Sequence, residues 1–241
     1  MSEGLYTFNL RPELALSCEF VGTEREPVMI VEGVLAEPQS LIDYAAKEVS
    51  FAPAWTASGG YPGIRAPAPL NYVNQLVRRL DPLIRQAFEL GPVKLARAEC
   101  NFSMVTLPPS QLTPQQQVPH VDTVDPLQFA FLHYLCGPEH GGTAFYRHRA
   151  TGFETLTPER KNAYERQRAE ELNNHPSSAD YIRGDDSHFV QHTCLESQHD
   201  RVIVYRSRTL HSGQIGTDAS LSSDPQRGRL TANIFVNFRA L

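Results

Sequence analysis

Gly228-Arg229-Leu230-Thr231-Ala232-Asn233-Ile234-Phe235-Val236-Asn237-Phe238 alternates almost without a break. In an extended chain Leu230, Ala232, Ile234, Val236 and Phe238 share one face, and Arg229, Thr231, Asn233 and Asn237 share the other, interrupted only by Phe235. A period of two marks a strand with one buried side. Two readings of the polar side stand at this point. Either it is solvated, or it walls a cavity in which the guanidinium fork of Arg229 pairs bidentately with a carboxylate and the Thr231 hydroxyl adds to the same oxygens.

Working outward, β-rich runs precede this strand at 93–107, 127–135, 143–147 and 202–206. Pro27 to Glu32 also reads as a strand, and helical spacing follows over 37–49 and 70–90. Residues 50–69, rich in Gly, Pro and Ala, read as a surface loop, and 108–117 as a polar loop punctuated by prolines. An insertion at 151–200 holds a charged helix over 158–172 and a polar stretch after it. Helices followed by short strands, without βαβ alternation, predict a mainly β chain with flanking helices (α+β) around a jelly-roll core. The expected organisation is one domain over 1–241, with an N-terminal strand and supporting helices in 1–92 and the jelly roll in 93–241.

Composition excludes several classes. The chain has 241 residues, 41% of them hydrophobic, and a net charge of −5, which suits a globular protein and argues against a nucleic-acid-binding surface. No apolar run reaches the ~18 residues of a membrane span, and 1–12 lack the pattern of a secretory signal. Leu14 to Cys18 faintly resembles a lipoprotein cleavage site, but Pro12 and Glu13 stand where an apolar core belongs. Cys18, Cys100, Cys136 and Cys194 are widely spaced, so they read as small buried hydrophobes in a reducing cytoplasm rather than as disulfides. Neither a Rossmann nor a Walker glycine loop is present.

Pro119-His120-Val121-Asp122-Thr123 carries the chemistry. If it is extended, His120 and Asp122 project to one side and can share a metal ion. The third ligand is sought at Leu210-His211-Ser212-Gly213, which follows a strand. Two histidines and a carboxylate leave three positions of an octahedral iron open for a bidentate 2-oxo acid and dioxygen. The competing reading of H-x-D is a turn with a capping aspartate. Of the other histidines, His133 reads as a satisfied core residue, and His140, His148, His175, His188, His192 and His199 as surface or capping groups. A zinc site from His188, His192, Cys194 and His199 matches no common spacing. Arg227 rivals Arg229 but falls outside the alternation. Arg147, Arg206 and Arg208 read as solvated rim. Two lids are conceivable: the 158–172 helix, and a flap around Tyr61 with Gly59, Gly60 and Gly63.

In order, the chain presents His120-Val121-Asp122, Gly141-Gly142-Thr143-Ala144-Phe145, His211 and Arg229-Leu230-Thr231. This order resembles the Fe(II)/2-oxoglutarate-dependent dioxygenases, above all their prolyl-hydroxylase-like branch, over roughly 93–238. The resemblance implies a double-stranded β-helix (cupin-like) core, with Fe(II) on His120, Asp122 and His211 as the metal and catalytic residues. It also implies 2-oxoglutarate chelating that iron with its distal carboxylate on Arg229 and Thr231, and dioxygen as oxidant. The co-substrate would leave as succinate and carbon dioxide while a C–H bond of a small-molecule or amino-acid-like substrate is oxidised. With Asp122 present, hydroxylation is favoured over halogenation. The tyrosine that some members carry on the strand before H-x-D has no clear counterpart, since Phe102 or Ser103 falls there. Two alternatives are weighed: a jelly-roll metal-binding protein without 2-oxoglutarate turnover, and a cupin-type metalloenzyme needing no 2-oxo acid, against which Arg229 and Thr231 argue. No nucleic-acid or membrane partner is expected.

Overall fold

The computed structural model describes residues 6–174, 180–216 and 221–241. Their strands are β1 (Ala15–Val21), β2 (Glu26–Glu32), β3 (Ala52–Thr56), β4 (Gly59–Pro67), β5 (Val93–Val105), β6 (Gln128–Tyr134), β7 (Thr143–His148), β8 (Phe189–Leu195), β9 (Arg201–Arg206), β10 (His211–Gly213) and β11 (Leu230–Ala240). The helices are α1 (Pro38–Lys47), α2 (Leu70–Ala87) and α3 (Pro158–Asn174). None of them is long and apolar enough to cross a membrane.

Eight strands form an antiparallel sheet in the order β1-β2-β9-β6-β11-β5-β4-β3, and β10-β7-β8 form a second. Period-two alternation decides what each face meets. On the outer face of the large sheet Met29, Val31, Phe129, Phe131, Val202, Val204 and the apolar side of β11 pack against Leu41 and Ile42 of α1 and Leu76, Leu80 and Ile84 of α2. On the inner face Val28, Ile30, Ala130, Leu132, Ile203 and Tyr205 meet Phe145 and Leu195 of the small sheet. Each fully buried side chain of this size contributes about 1.5–3 kcal/mol. The result is a jelly roll with helices laid on one side, the class expected from the sequence. β7 obeys the same rule, with Phe145 turned inward and Ala144 and Tyr146 packed outside against Phe189 and Leu210.

Three expectations need correcting. Residues 50–69 are not a loop: β3 and β4 form a hairpin that pairs with β5 through Arg65–Ser103 and its neighbours. The stretch after α3 contains β8, paired with β7. Of the cysteines only Cys136 is buried; Cys18 and Cys194 are exposed and Cys100 is intermediate.

His133 is the satisfied core residue expected of it. It is fully buried, its Nδ1 lies 2.7 Å from the Tyr72 hydroxyl and its Nε2 lies 3.0 Å from Asp200 Oδ1. Asp200 also accepts the Leu35 N–H at 3.0 Å, so this one carboxylate ties α2, β6 and the β2–α1 connection together. Removing it strands two buried donors. Asp200→Ala should therefore cost about 3 kcal/mol of stability, read from urea unfolding midpoints; a cost well under ~1 kcal/mol would show that the network is not a structural tie.

Candidate metal centre and its cavity

A pair of backbone hydrogen bonds brings the candidate ligands together. His120 N–H donates to His211 O and His211 N–H donates to His120 O, each at 2.9 Å, an antiparallel bridge outside the regular strands. Asp122 N–H donates to Ser207 O at 2.9 Å, which pins the other end of the H-x-D segment. His211 opens β10 opposite Phe145, and its ring packs edge-on against Tyr205 at 4.9 Å.

The side chains converge as the backbone does. One ligand atom from each of His120, Asp122 and His211 lies within 4.8 Å of the others, the one such His/Cys/Asp/Glu group among the described residues. His120 Nε2 is 3.9 Å from Asp122 Oδ1, and His211 Nε2 is 3.9 Å from Asp122 Oδ2. Both distances are too long for hydrogen bonds, so these donor atoms face one another without bonding. An ion about 2.1 Å from each donor would hold neighbouring donors about 3 Å apart, a closure that side-chain rotation can supply. His211 Nδ1 lies 2.9 Å from Thr209 O; donating there places the proton on Nδ1 and leaves the Nε2 lone pair aimed at Asp122. The His120 side chain is 55% exposed, but it is exposed to the interior of a recess. Desolvation by the surrounding protein, then the His211 imidazole, lower its pKa to about 4. The donor set of two neutral imidazoles and a carboxylate fits a divalent first-row metal.

These residues line a cavity of about 540 Å³ shared with Arg229, Arg65, Tyr61 and Thr143. Arg229 is only 4% exposed. One Nη donates to Gly142 O at 3.0 Å, the guanidinium lies 5.7 Å from the Tyr134 ring centre, and Nε has no hydrogen-bond partner. Burial pushes the Tyr134 phenol up to about 12 against the lowering effect of Arg229. Among the described residues no carboxylate forms an ion pair with Arg229, whereas the exposed Arg227 pairs with Asp224 at 3.6 Å. Gly141 and Gly142 let neighbouring backbone pack close to this segment: a Cβ on the first would strike Gln214 O and on the second Leu195 O.

The structure sorts the remaining candidates. Thr231 lies fully buried on the inner face, but its hydroxyl donates to Asn233 Oδ1 at 2.7 Å. The Tyr61 hydroxyl is buried beside Thr231 and lies in the field of Arg229. Tyr61 and its glycines belong to β4, in which Gly59 and Gly60 pair with β3 and Gly63 pairs with β5. Arg206 and Arg208 are not solvated rim, since both pair with Glu26 at 2.8 Å. Arg147 lies 3.7 Å from Glu154. His140, His148 and His188 are buried rather than superficial. His148 contacts Glu171 of α3 at 3.0 Å, with Arg168 on the same carboxylate. That contact fastens α3 to β7, and among the described residues none of α3 lines the cavity. His175 lies outside the described residues. Sequence reasoning missed Arg65 altogether, because it sits in a stretch with the composition of a loop.

The model of a family of unknown function, DUF6445, aligns with residues 12–236. The chain belongs to the DUF6445 family. No curated protein matches it in sequence. Among solved structures, this DUF6445 chain is similar to HygX from Streptomyces hygroscopicus, crystallised with nickel, 2-oxoglutarate and hygromycin B, at 12% identity and TM-score 0.48, covering 87% of this chain and 82% of that one. It is also similar to an N-substituted L-amino acid dioxygenase from Burkholderia ambifaria (11% identity, TM-score 0.39, 93% and 94% covered). A third is EctD from S. alaskensis with bound Fe (13% identity, TM-score 0.37, 98% and 87% covered).

A buried cation without a counter-anion is a stability cost that the ligand-free protein carries. Arg229→Met should therefore raise the stability of the ligand-free protein, by about 1 kcal/mol or more, measured by chemical denaturation. Destabilisation of similar size would mean that the guanidinium is already satisfied.

Proposed function

We propose that this protein is a non-haem Fe(II) oxygenase that uses 2-oxoglutarate and dioxygen to oxidise a small-molecule or amino-acid-like substrate. One observation carries the reading: a buried guanidinium without a described counter-anion opens into the same cavity as two histidines and a carboxylate. A metal site alone would not require Arg229. A carboxylate-bearing co-substrate does, because it supplies the missing negative charge in a desolvated place, where a charge-assisted bidentate pair is strongest.

The spacing agrees. Gly213 lies two residues along β10 from His211, and an added Cβ there would stand 3.8 Å from Arg229 Nη2. Two residues of strand span about 7 Å, the reach of a five-carbon diacid with one end at the ligand triad. Iron bound by His120, Asp122 and His211 would supply the redox chemistry: oxidative decarboxylation of the 2-oxo acid and attack on a substrate C–H.

The chain's own residues do the rest. Asp122 offsets part of the metal's charge, and the Thr209 carbonyl holds His211 in the tautomer that offers Nε2. Arg229 anchors the distal carboxylate with the buried O–H of Tyr61 beside it, and Thr231 joins them on turning its hydroxyl from Asn233. Tyr205 and Phe235 give the cavity an apolar wall that limits water.

Anaerobic addition of Fe(II) and then 2-oxoglutarate should produce a weak visible charge-transfer absorption from the chelated oxo acid. Asp122→Ala should abolish metal binding by calorimetry. Arg229→Ala should keep the metal but weaken 2-oxoglutarate about 10- to 100-fold. Metal binding with no spectral response to 2-oxoglutarate would instead indicate a jelly-roll metal-binding protein.

A further inference from the structure

The proposed co-substrate accounts for Arg229 but leaves a second cation in the cavity unanswered. Arg65 stands on β4 opposite Ser103, which itself stands opposite Thr231 on β11, so the three form one row across the inner face of the sheet. Its Nε donates to Ser103 Oγ at 3.1 Å, and its guanidinium lies 4.3 Å over the Tyr61 ring. These two contacts fix the plane of the fork. They use none of its terminal nitrogens, which hydrogen-bond no described residue, and no described carboxylate pairs with them.

The two arginines address different parts of the cavity. Arg65 is held by Ser103 and the Tyr61 ring and lies in the field of Asp122 and His120, whereas Arg229 is held by the Gly142 carbonyl and the Tyr134 ring, with Tyr61 in the field of both. Arg65 thus stands by the ligand triad, with a pre-oriented fork open to the space where an oxidisable molecule must lie. Pre-orientation is what makes an arginine selective rather than merely attractive.

We infer that Arg65 receives the carboxylate of the molecule that is oxidised, so that the site takes small acids that present a single carboxylate to it, amino acids among them. This rests on the reading of the triad and Arg229 given above. A cavity of about 540 Å³ is of the size that holds metabolites. One guanidinium matches one carboxylate charge. A phosphate dianion would bring a second, uncompensated negative charge beside Asp122.

The test titrates the protein, anaerobic and loaded with Fe(II) and 2-oxoglutarate, with the proteinogenic L-amino acids and with their primary amides. Binding is followed by the visible absorption and, independently, by the thermal unfolding midpoint. At least one acid should bind tenfold or more tighter than its amide. Arg65→Gln should remove that preference while leaving 2-oxoglutarate affinity unchanged, and Arg65→Lys, which keeps the charge and loses the fork, should fall between. The inference is overturned if no acid outbinds its amide, if Arg65→Gln keeps the preference, or if that variant loses 2-oxoglutarate instead. Absence of the absorption in the parent would overturn the oxygenase reading alone, because the thermal readout still registers the preference for acids.

Discussion

Two backbone hydrogen bonds, between His120 and His211, are the constraint on which the site depends. The histidines belong to distant parts of the chain, and neither is brought to the other by its own local structure. His120 lies beyond the end of any regular strand, and His211 begins a strand of three residues. The bridge places their Cα atoms opposite each other and their rings 4.5 Å apart. Asp122 is then held by its own N–H on the Ser207 carbonyl. Convergence of the three donors is thus a property of backbone pairing, and the jelly roll exists to make that pairing possible.

Around this bridge the protein departs from the rule that buried charges are paired. Elsewhere it obeys the rule closely: Glu26 takes both Arg206 and Arg208, Glu32 takes Arg201, and Glu24 takes Arg160. Among the described residues, Arg229 and Arg65 are cavity-lining cations left without such partners. Satisfying cations outside the cavity while leaving those inside open is the pattern of a site preorganised for anions, with stability given up where the ligand is to bind.

Much of this was readable in the sequence. The alternation from Arg229 to Phe238 announced a strand with two different faces, and the structure turns one to the helices and the other to the cavity. His120, Asp122 and His211 are brought together as expected of H-x-D followed by a distal histidine. What escaped reading did so for physical reasons. β4 contains Gly59, Gly60, Pro62 and Gly63, residues that weaken a strand and normally mark a turn, yet pairing with β5 overrides that composition. β1 exposes residues on both faces at the sheet edge, so it has no apolar period to detect. β8 has mixed burial without alternation. Arg65 and Tyr61 were hidden with β4, since a side chain on a segment read as a loop has no face to belong to.

The most direct measurement is anomalous diffraction from crystals of the protein grown anaerobically with Fe(II) and 2-oxoglutarate. The account predicts one anomalous peak bonded to His120 Nε2, an oxygen of Asp122 and His211 Nε2, with density for a diacid running from that ion to the Arg229 guanidinium. A peak elsewhere, or Arg229 paired with a carboxylate of the protein itself while the diacid is absent from the cavity, would contradict it.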